Sequence, residues 1–582
     1  MGVDEVTMRE GLDLHPAASV TSSEPSIDAL LQWFKTEHHG QIHKALEIYR
    51  SEETGLSFRT SVTGNATIAA GEPVVVCPLS ASLSYLNVLG HGRPLGKGLQ
   101  SPEDLPEDSQ LAFSSEFVKK VPPHVVGRFF LIKQFLLGTS SPWAPYISTL
   151  PAPHDYDAWA LPAVWHGGGC DTTALDLLKS TNAEVAAAEM RKRIDDEFRE
   201  AWPLLQDDDS KEKYTLSLYE WAYCIFTSRS FRPSLVLTEV IKDALCCGLD
   251  VEEHYLSMIN HVWLPMRVHT DDFSMLLPVL DIGNHDPRAV VQWQPVMDAS
   301  REAISSSTAL TSIPSTKTDH AIVFSTDTAH SSGQPVFNNY GSKTNSELLV
   351  GYGFVLAPTP DMHNDYVHLR KRGEPGPFVS DIDTAAGTKV DAYHRDYLLS
   401  LRPMAEPTSP VGRARLAPEQ WIDDHPLSTR RSPGAALVDD GLLWDMLVDI
   451  LEPDYFDLVE NYVLAQIMAE SENNTAPEDV PLERLSDAIL DLVFGTQSPP
   501  DTLKFLQNVR SEIFATMVFK LVGDLDDLDA LDLETFSPKN RHERVALQYR
   551  KQYYAVVDNA FGDLGCEVEF DDEEDDDQQK GL

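Results

Sequence analysis

The chain has 582 residues, a formal net charge of -45, 42% hydrophobic residues and 10 tryptophans. That length exceeds one core, so two or three folded domains are expected, and the apolar content excludes a disordered chain. The charge argues against non-specific nucleic-acid binding, which needs a basic face to displace counterions; it suits a basic protein partner drawn in by the field, or solubility alone.

Residues 1–25 are polar and read as a mobile terminus. Met1-Gly2-Val3-Asp4-Glu5 has no apolar core, so no signal or transit peptide is expected there. No apolar run approaches the roughly 20 residues of a membrane span, so a soluble protein is expected. The cysteines at 77, 170, 224, 246, 247 and 566 form no C-x-x-C pair, so no metal site is expected. Their sparsity fits a reducing compartment, the cytoplasm and/or the nucleus.

From Ser26 to Tyr49 the apolar positions Leu30, Leu31, Phe34, Ile42, Ala45 and Leu46 fall mostly at helical spacing. Ala69 to Leu79 gives a turn at Gly71 and a β-rich run, Val74-Val75-Val76. From about 100 to 270 the texture is helical, with segments at Phe129–Leu137, Ala174–Lys179, Ala183–Phe198, Leu216–Thr227 and Val240–Ala244. A Pro-rich joint, 141–153, separates two of them. β character returns around Asp281 and continues at Ala321–Phe324 and Pro335–Asn339, with a Ser/Thr-rich loop at Ser300–Lys317 between. Residues 401–435 read as a long loop. Leu442–Ile467, Leu503–Leu521 and Arg541–Phe561 are amphipathic helices, and the acidic end is a solvated tail.

Two segments carry the most information. The first is Leu277-Pro278-Val279-Leu280-Asp281-Ile282-Gly283-Asn284-His285; the second runs from Val336 through Tyr340-Gly341, Asn345 and Glu347 to Tyr352-Gly353-Phe354. An Asn-His pair closing one apolar run and a Tyr-Gly closing another resemble the paired motifs of SET-domain methyltransferases. The longer form is similar to the branch typified by the Rubisco large-subunit lysine methyltransferase. Ser141-x-Trp143-x-Pro145-Tyr146, Trp221-Ala222 and Ser228-Arg229-Ser230-Phe231 resemble that branch's helical insert.

The resemblance implies an α+β architecture: a β-rich SET fold, threaded as a pseudoknot and interrupted by a helical insert, followed by an all-helical C-terminal domain. The expected partition is a mobile terminus (1–25), a SET domain (26–357, insert about 100–270), a loop-rich linker (358–435), a helical substrate-binding-like domain (436–565) and an acidic tail (566–582). It further implies S-adenosyl-L-methionine as cofactor, lysine N-methylation of a basic protein as activity, and a monomer that binds neither membrane nor nucleic acid directly.

Methyl transfer from a sulfonium to an amine is an in-line displacement, so holding the two collinear matters most. Lysine must also lose its proton, which a desolvated channel beside a cation assists. The resemblance assigns Tyr340 to the end of that channel as the catalytic residue. Phe231, Tyr352 and Phe354 become channel walls, where an aromatic face attracts a methylammonium. Asn284 and His285 become the cofactor pair, and Asp281 a buttress of their loop. Arg229 would fork onto the cofactor carboxylate, and Gly55 and Leu56 would offer main chain to it. Here the chain departs from the family: Thr54-Gly55-Leu56-Ser57 stands where Glu-Gly-x-Gly is usual. That departure keeps a second reading open, a SET-fold binding scaffold with little catalysis. A third is methylation of histidine, against which the aromatic Phe231 speaks.

Overall fold

A computed structural model describes residues 24–51, 54–96, 113–165, 172–205, 211–247, 262, 264–265, 268–296, 320–370, 396–416, 430–470, 476–531, 533 and 536–568. The expected mobile terminus (as far as residue 23), the Ser300–Lys317 loop and the tail from 569 onward lie outside these residues.

The first helix, α1 (Pro25–Thr36), buries Ile27, Leu30, Trp33 and Phe34 on one face. It stops at Thr36 and does not continue to Tyr49 as the apolar spacing suggests. His39 adopts φ +60, and a side chain at Gly40 would meet the Phe34 ring at 2.3 Å. The chain turns there into β1 (Gln41–Ile42) and β2 (Leu46–Ser51). Pairing of β2 with β3 (Gly55–Thr60), from Leu46↔Thr60 to Ser51↔Gly55, overrides the local helical pattern.

Late strands complete early sheets. β4 (Pro73–Pro78), which carries the buried Val74-Val75-Val76, lies between β1 and β9 (Ala321–Thr326), and β8 (Val291–Val296) forms the far edge. β3 lies between β2 and β10 (Pro335–Val336), with Val336 opposite Phe58. A third small sheet orders β5 (Leu83–Ser84), β7 (Met275–Leu276) and β6 (Ser230–Phe231). The β character expected around Asp281 is a correction: Leu280–Ile282 forms a single 3-10 turn. Val279 before it is buried at φ +73, a conformation costly for a β-branched residue that ends the strand pattern.

Between these halves lies a helical insert. α2 (Pro123–Leu136) is buried nearly all round, as expected for a helix at the centre of a layer. α4 (Leu216–Arg229) packs against both α2 and α3 (Asn182–Ala201), and α3 meets α2 through the stacked rings of Phe198 and Phe129. After the insert and the returning strands comes α5 (Asn345–Tyr352). The segment expected as a loop-rich linker contains a buried antiparallel pair, β11 (Tyr366–Leu369) and β12 (Tyr397–Ser400). Its two four-residue runs are too short to stand out as strands by pattern.

The C-terminal region is helical: α6 (Asp440–Ile450), α7 (Pro453–Glu470), α8 (Leu482–Phe494), α9 (Phe505–Asp529) and α10 (Arg541–Gly565). α10 packs along α9 and also against β11, β12 and the short helix Thr173–Asp176 of the insert. Buried Arg550 on α10 donates to the carbonyls of Leu177 (3.2 Å), Lys179 (2.6 Å) and Leu528 (2.5 Å). It thereby joins two helix ends that face each other with orphan acceptors. No described helix is long and apolar enough to cross a membrane.

Candidate active site

The two motif segments meet side by side. Asn338 donates its N–H to the Asn284 carbonyl (2.7 Å), and Asp286 donates to the Asn338 carbonyl (2.9 Å). This parallel bridge, His285 opposite Asn338, joins chain positions more than fifty residues apart. It delivers Tyr340, whose main-chain N–H donates to His285 Nδ1 (3.0 Å) and whose hydroxyl donates to the Gly283 carbonyl (3.0 Å). The His285 and Tyr340 rings stack at 5.0 Å, and Tyr340 stacks on Tyr352 at 4.8 Å. Phe354 touches both His285 and Tyr352 at 6.3 Å between centroids. A side chain at Gly283 would meet Asn338 Cβ at 3.0 Å, so the crossing needs a small residue there.

Electrostatics follow from burial. Desolvation pushes the Tyr340 phenol up to about 12, so it is a neutral hydroxyl at physiological pH. Desolvation pushes His285 down to about 4. Its Nδ1 accepts a hydrogen bond, so the neutral ring carries its proton on Nε2. Among the described residues no group of three or more His, Cys, Asp or Glu could hold a metal ion.

The loop at 54–58 reaches the same place from the other side. Asn284 donates its side-chain amide to Ser57 Oγ (2.7 Å) and to the Leu56 carbonyl (3.2 Å). Thr54 and Ser57 exchange a hydrogen bond between their hydroxyls at 2.7 Å. Gly55 between them has φ +71 and open space where a Cβ would sit, so main chain is presented without cover.

Arg229 ends α4 and turns towards the 3-10 turn. Its Nη1 lies 3.6 Å from Asp281 Oδ2 and 3.4 Å from the Asp281 carbonyl. Asp281 is buried, and Tyr146 donates to its Oδ2 at 2.8 Å. Desolvation raises this carboxyl, and Arg229 and Tyr146 oppose the rise. Its Oδ1 is buried without a hydrogen-bond partner, an acceptor that a donor group of a bound ligand would satisfy. Tyr146 has no role in the sequence reading, although the insert motif contains it.

A cleft of about 330 Å³ brings most of this together. Its lining includes Arg229, Phe231, Asp281, Gly283, Asn338, Tyr340 and Tyr352, with Arg232 and Lys343 supplying further positive charge and Arg128 ion-paired with Glu197. Gly55, Leu56, Asn284, His285 and Phe354 stand behind or beside that lining and are not part of it. Trp293 of β8 is a wall that sequence reasoning missed. It meets Phe231 edge-to-face at 5.6 Å, and its indole N–H donates to Asn338 Oδ1 at 3.1 Å. Only strand pairing brings it here, so no local signal marks it. A larger concavity, about 400 Å³ beside α2 and α3, interleaves Lys120, Lys192 and Arg193 with Glu189, Asp196 and Glu200. It has no aromatic wall and no motif residue, so the smaller cleft is the candidate site.

Two motif residues prove architectural. Glu347 closes a capping box with Thr344 at the start of α5. Asn345 donates to the Leu356 carbonyl and to Asp365 Oδ1, each at 2.8 Å. Gly353 ends α5 in a left-handed C-cap at φ +75.

No family model matches the chain. It is 23% identical over 321 residues to a ribosomal lysine N-methyltransferase, set10, of Schizosaccharomyces pombe, covering 55% of this chain and 44% of that protein. It is 27% identical over 143 residues to ribosomal lysine N-methyltransferase 1 of Saccharomyces cerevisiae, covering 25% of this chain and 16% of that one. The chain thus spans less than half the length of these curated relatives. Among solved structures, it superposes on the SET domain of LSMT bound to lysine and AdoHcy with a TM-score of 0.52 at 14% identity, covering 94% of this chain and 92% of that one. The same domain bound to methyllysine and AdoHcy gives 0.50 at 13%, covering 94% and 93%. The chain has the SET-domain fold of that enzyme, including a helical C-terminal region.

Proposed function

We propose that this chain is an S-adenosyl-L-methionine-dependent protein-lysine N-methyltransferase, and that its acceptor is a lysine of a ribosomal protein. The observation that carries the reading is the Tyr340 hydroxyl, anchored on Gly283 in an aromatic-walled cleft beside the Asn284-His285 segment. The names of the two yeast relatives support the acceptor class. The substrate is a basic protein, the enzyme acts as a monomer, and it works in the cytoplasm or nucleus. The domain partition given above belongs to the same proposal, with the paired strands β11 and β12 inside its linker.

The residues present fit the cofactor. Gly55 offers open main chain at a left-handed corner with the buried Leu56 behind it, Arg229 offers a guanidinium for a carboxylate, and Asp281 Oδ1 offers a buried acceptor. Bound S-adenosylmethionine supplies an electrophilic methyl group on a sulfonium. Tyr340 is the catalytic residue: its proton is committed to Gly283, so its oxygen lone pairs can orient the amine and accept weak C–H contacts. Phe231, Trp293 and Tyr352 strip water from the lysine tip. Lys343 adds positive charge that lowers its pKa, and the ammonium releases its proton to water before transfer, so no side-chain base is needed. Phe231 and the hydrogen-bonded Trp293 offer no acceptor to an imidazole N–H, which favours lysine over histidine.

The test is transfer of labelled methyl from the cofactor to a ribosomal protein fraction, followed by mass spectrometry of the labelled peptide. Methylated lysine, with labelling strongly reduced by Tyr340→Phe, is the expected result. A modified histidine would overturn the acceptor, and no detectable heat of cofactor binding would leave a scaffold.

A further inference from the structure

We infer that Thr54 and Ser57 form a hydroxyl clamp that positions the Gly55–Leu56 main chain and the Asn284 side chain, jointly, for the cofactor. The inference rests on the proposed cofactor site and concerns this chain's own departure from the usual Glu-Gly-x-Gly loop. Ser57 is buried at 4% exposure, and a buried hydroxyl must find partners. It finds two. Asn284 donates to it across 227 positions of sequence at 2.7 Å, and Thr54 shares a hydrogen bond with it at 2.7 Å. Asn284 spends its second amide hydrogen on the Leu56 carbonyl at 3.2 Å.

The consequence is a closed circuit. Thr54 fixes Ser57, Ser57 fixes the Asn284 amide, and that amide fixes Leu56 just beyond the left-handed corner at Gly55. A hairpin end at Ser51↔Gly55 is the last paired position of β2 and β3, and such tips move unless tied. The clamp ties this one to the Asn284-His285 segment without touching the reacting atoms. Thr54 and Ser57 are therefore positioning residues. Their loss should loosen cofactor binding and leave the chemistry that follows it nearly intact.

Cofactor affinity of the full chain is measured by calorimetry for wild type, Thr54→Val, Ser57→Ala, the double variant and Thr54→Ser. A net hydrogen bond of this kind is worth about three- to tenfold in affinity. Thr54→Val and Ser57→Ala should each raise Kd by that factor. The double variant should be little worse than Ser57→Ala, because one circuit is cut once. Thr54→Ser keeps the hydroxyl and should stay within about twofold of wild type. KM for the cofactor should rise with Kd, while turnover at saturating cofactor falls far less.

Thr54 is exposed, so its variants fold even where Ser57→Ala does not, and Thr54→Val against Thr54→Ser alone decides. Unchanged affinity in both Thr54 variants overturns the clamp while leaving the proposed activity standing. Strictly additive losses overturn the circuit as well. A wild-type chain that binds no cofactor sinks the proposed function itself, a different and separable failure.

Discussion

The crossing of residues 279–286 with 338–341 and the pairing of α9 with α10 are held together in opposite ways. α9 and α10 are 25 residues each and bury apolar side chains such as Ile513, Phe514, Val556 and Ala560 along their lengths. The crossing has almost no regular structure; it is a bridge, a 3-10 turn and a set of side-chain hydrogen bonds onto main chain. Burial of apolar area is non-directional and tolerant. A polar crossing is directional and fails when one partner goes. The bundle supplies stability, and the crossing supplies a single geometry.

That contrast can be broken at its joints, beginning where the loss is largest. Arg550→Met removes the donor that three carbonyls share across the insert and the bundle. It should cost about 3–5 kcal/mol, read from the urea midpoint, because buried acceptors are stranded. Gly353→Ala forces a Cβ to within 2.2 Å of the Ala160 carbonyl at φ +75, and should cost about 2–4 kcal/mol in the same assay. Tyr340→Phe acts on the crossing alone. Turnover should fall about a hundredfold, near 2.7 kcal/mol of barrier, with the melting temperature shifted by no more than a few degrees.

The smallest effect has the opposite sign. Burial raises the Asp365 carboxyl from 3.8 to about 6, with Asn345 and Arg402 opposing. A folded-state pKa above the unfolded one contributes stability that is present below about 4 and lost as pH rises through about 6. At pH 7.5 the fold therefore carries a poorly solvated charge. Asp365→Asn keeps the oxygen that Asn345 bonds and should stabilise by about 1–2 kcal/mol there. The gain should vanish near pH 4. A gain that is equal at both pH values would show that the charge is not the cause.

What the sequence discloses divides along the same line. The long C-terminal helices and the buried run Val74-Val75-Val76 are legible because period and burial are local properties. The residues of the candidate site come from the sequence, and their partners do not. Tyr340, Asn284 and His285 do converge, yet nothing local indicates that Asn284 spends its amide on Ser57 and Leu56, or that Tyr146 holds Asp281. Trp293 arrives through the β8–β9 register, and the strands at 41–51 through pairing with β3. Asn345 and Glu347 carry the opposite lesson. Their spacing marks the motif, while their bonds cap and brace a helix. A motif records what a fold requires as well as what a reaction requires.

The grip of Arg550 on Leu177, Lys179 and Leu528 also sets an order on biosynthesis. A nascent chain emerges from the ribosome N-terminus first, so the insert's helix end waits for a guanidinium made some 370 positions later. Until α10 appears, α5, whose Tyr352 lines the cleft, lacks the helix that packs against it. A chain stopped short of α10 would emerge with all its motif residues and no finished chamber to hold them.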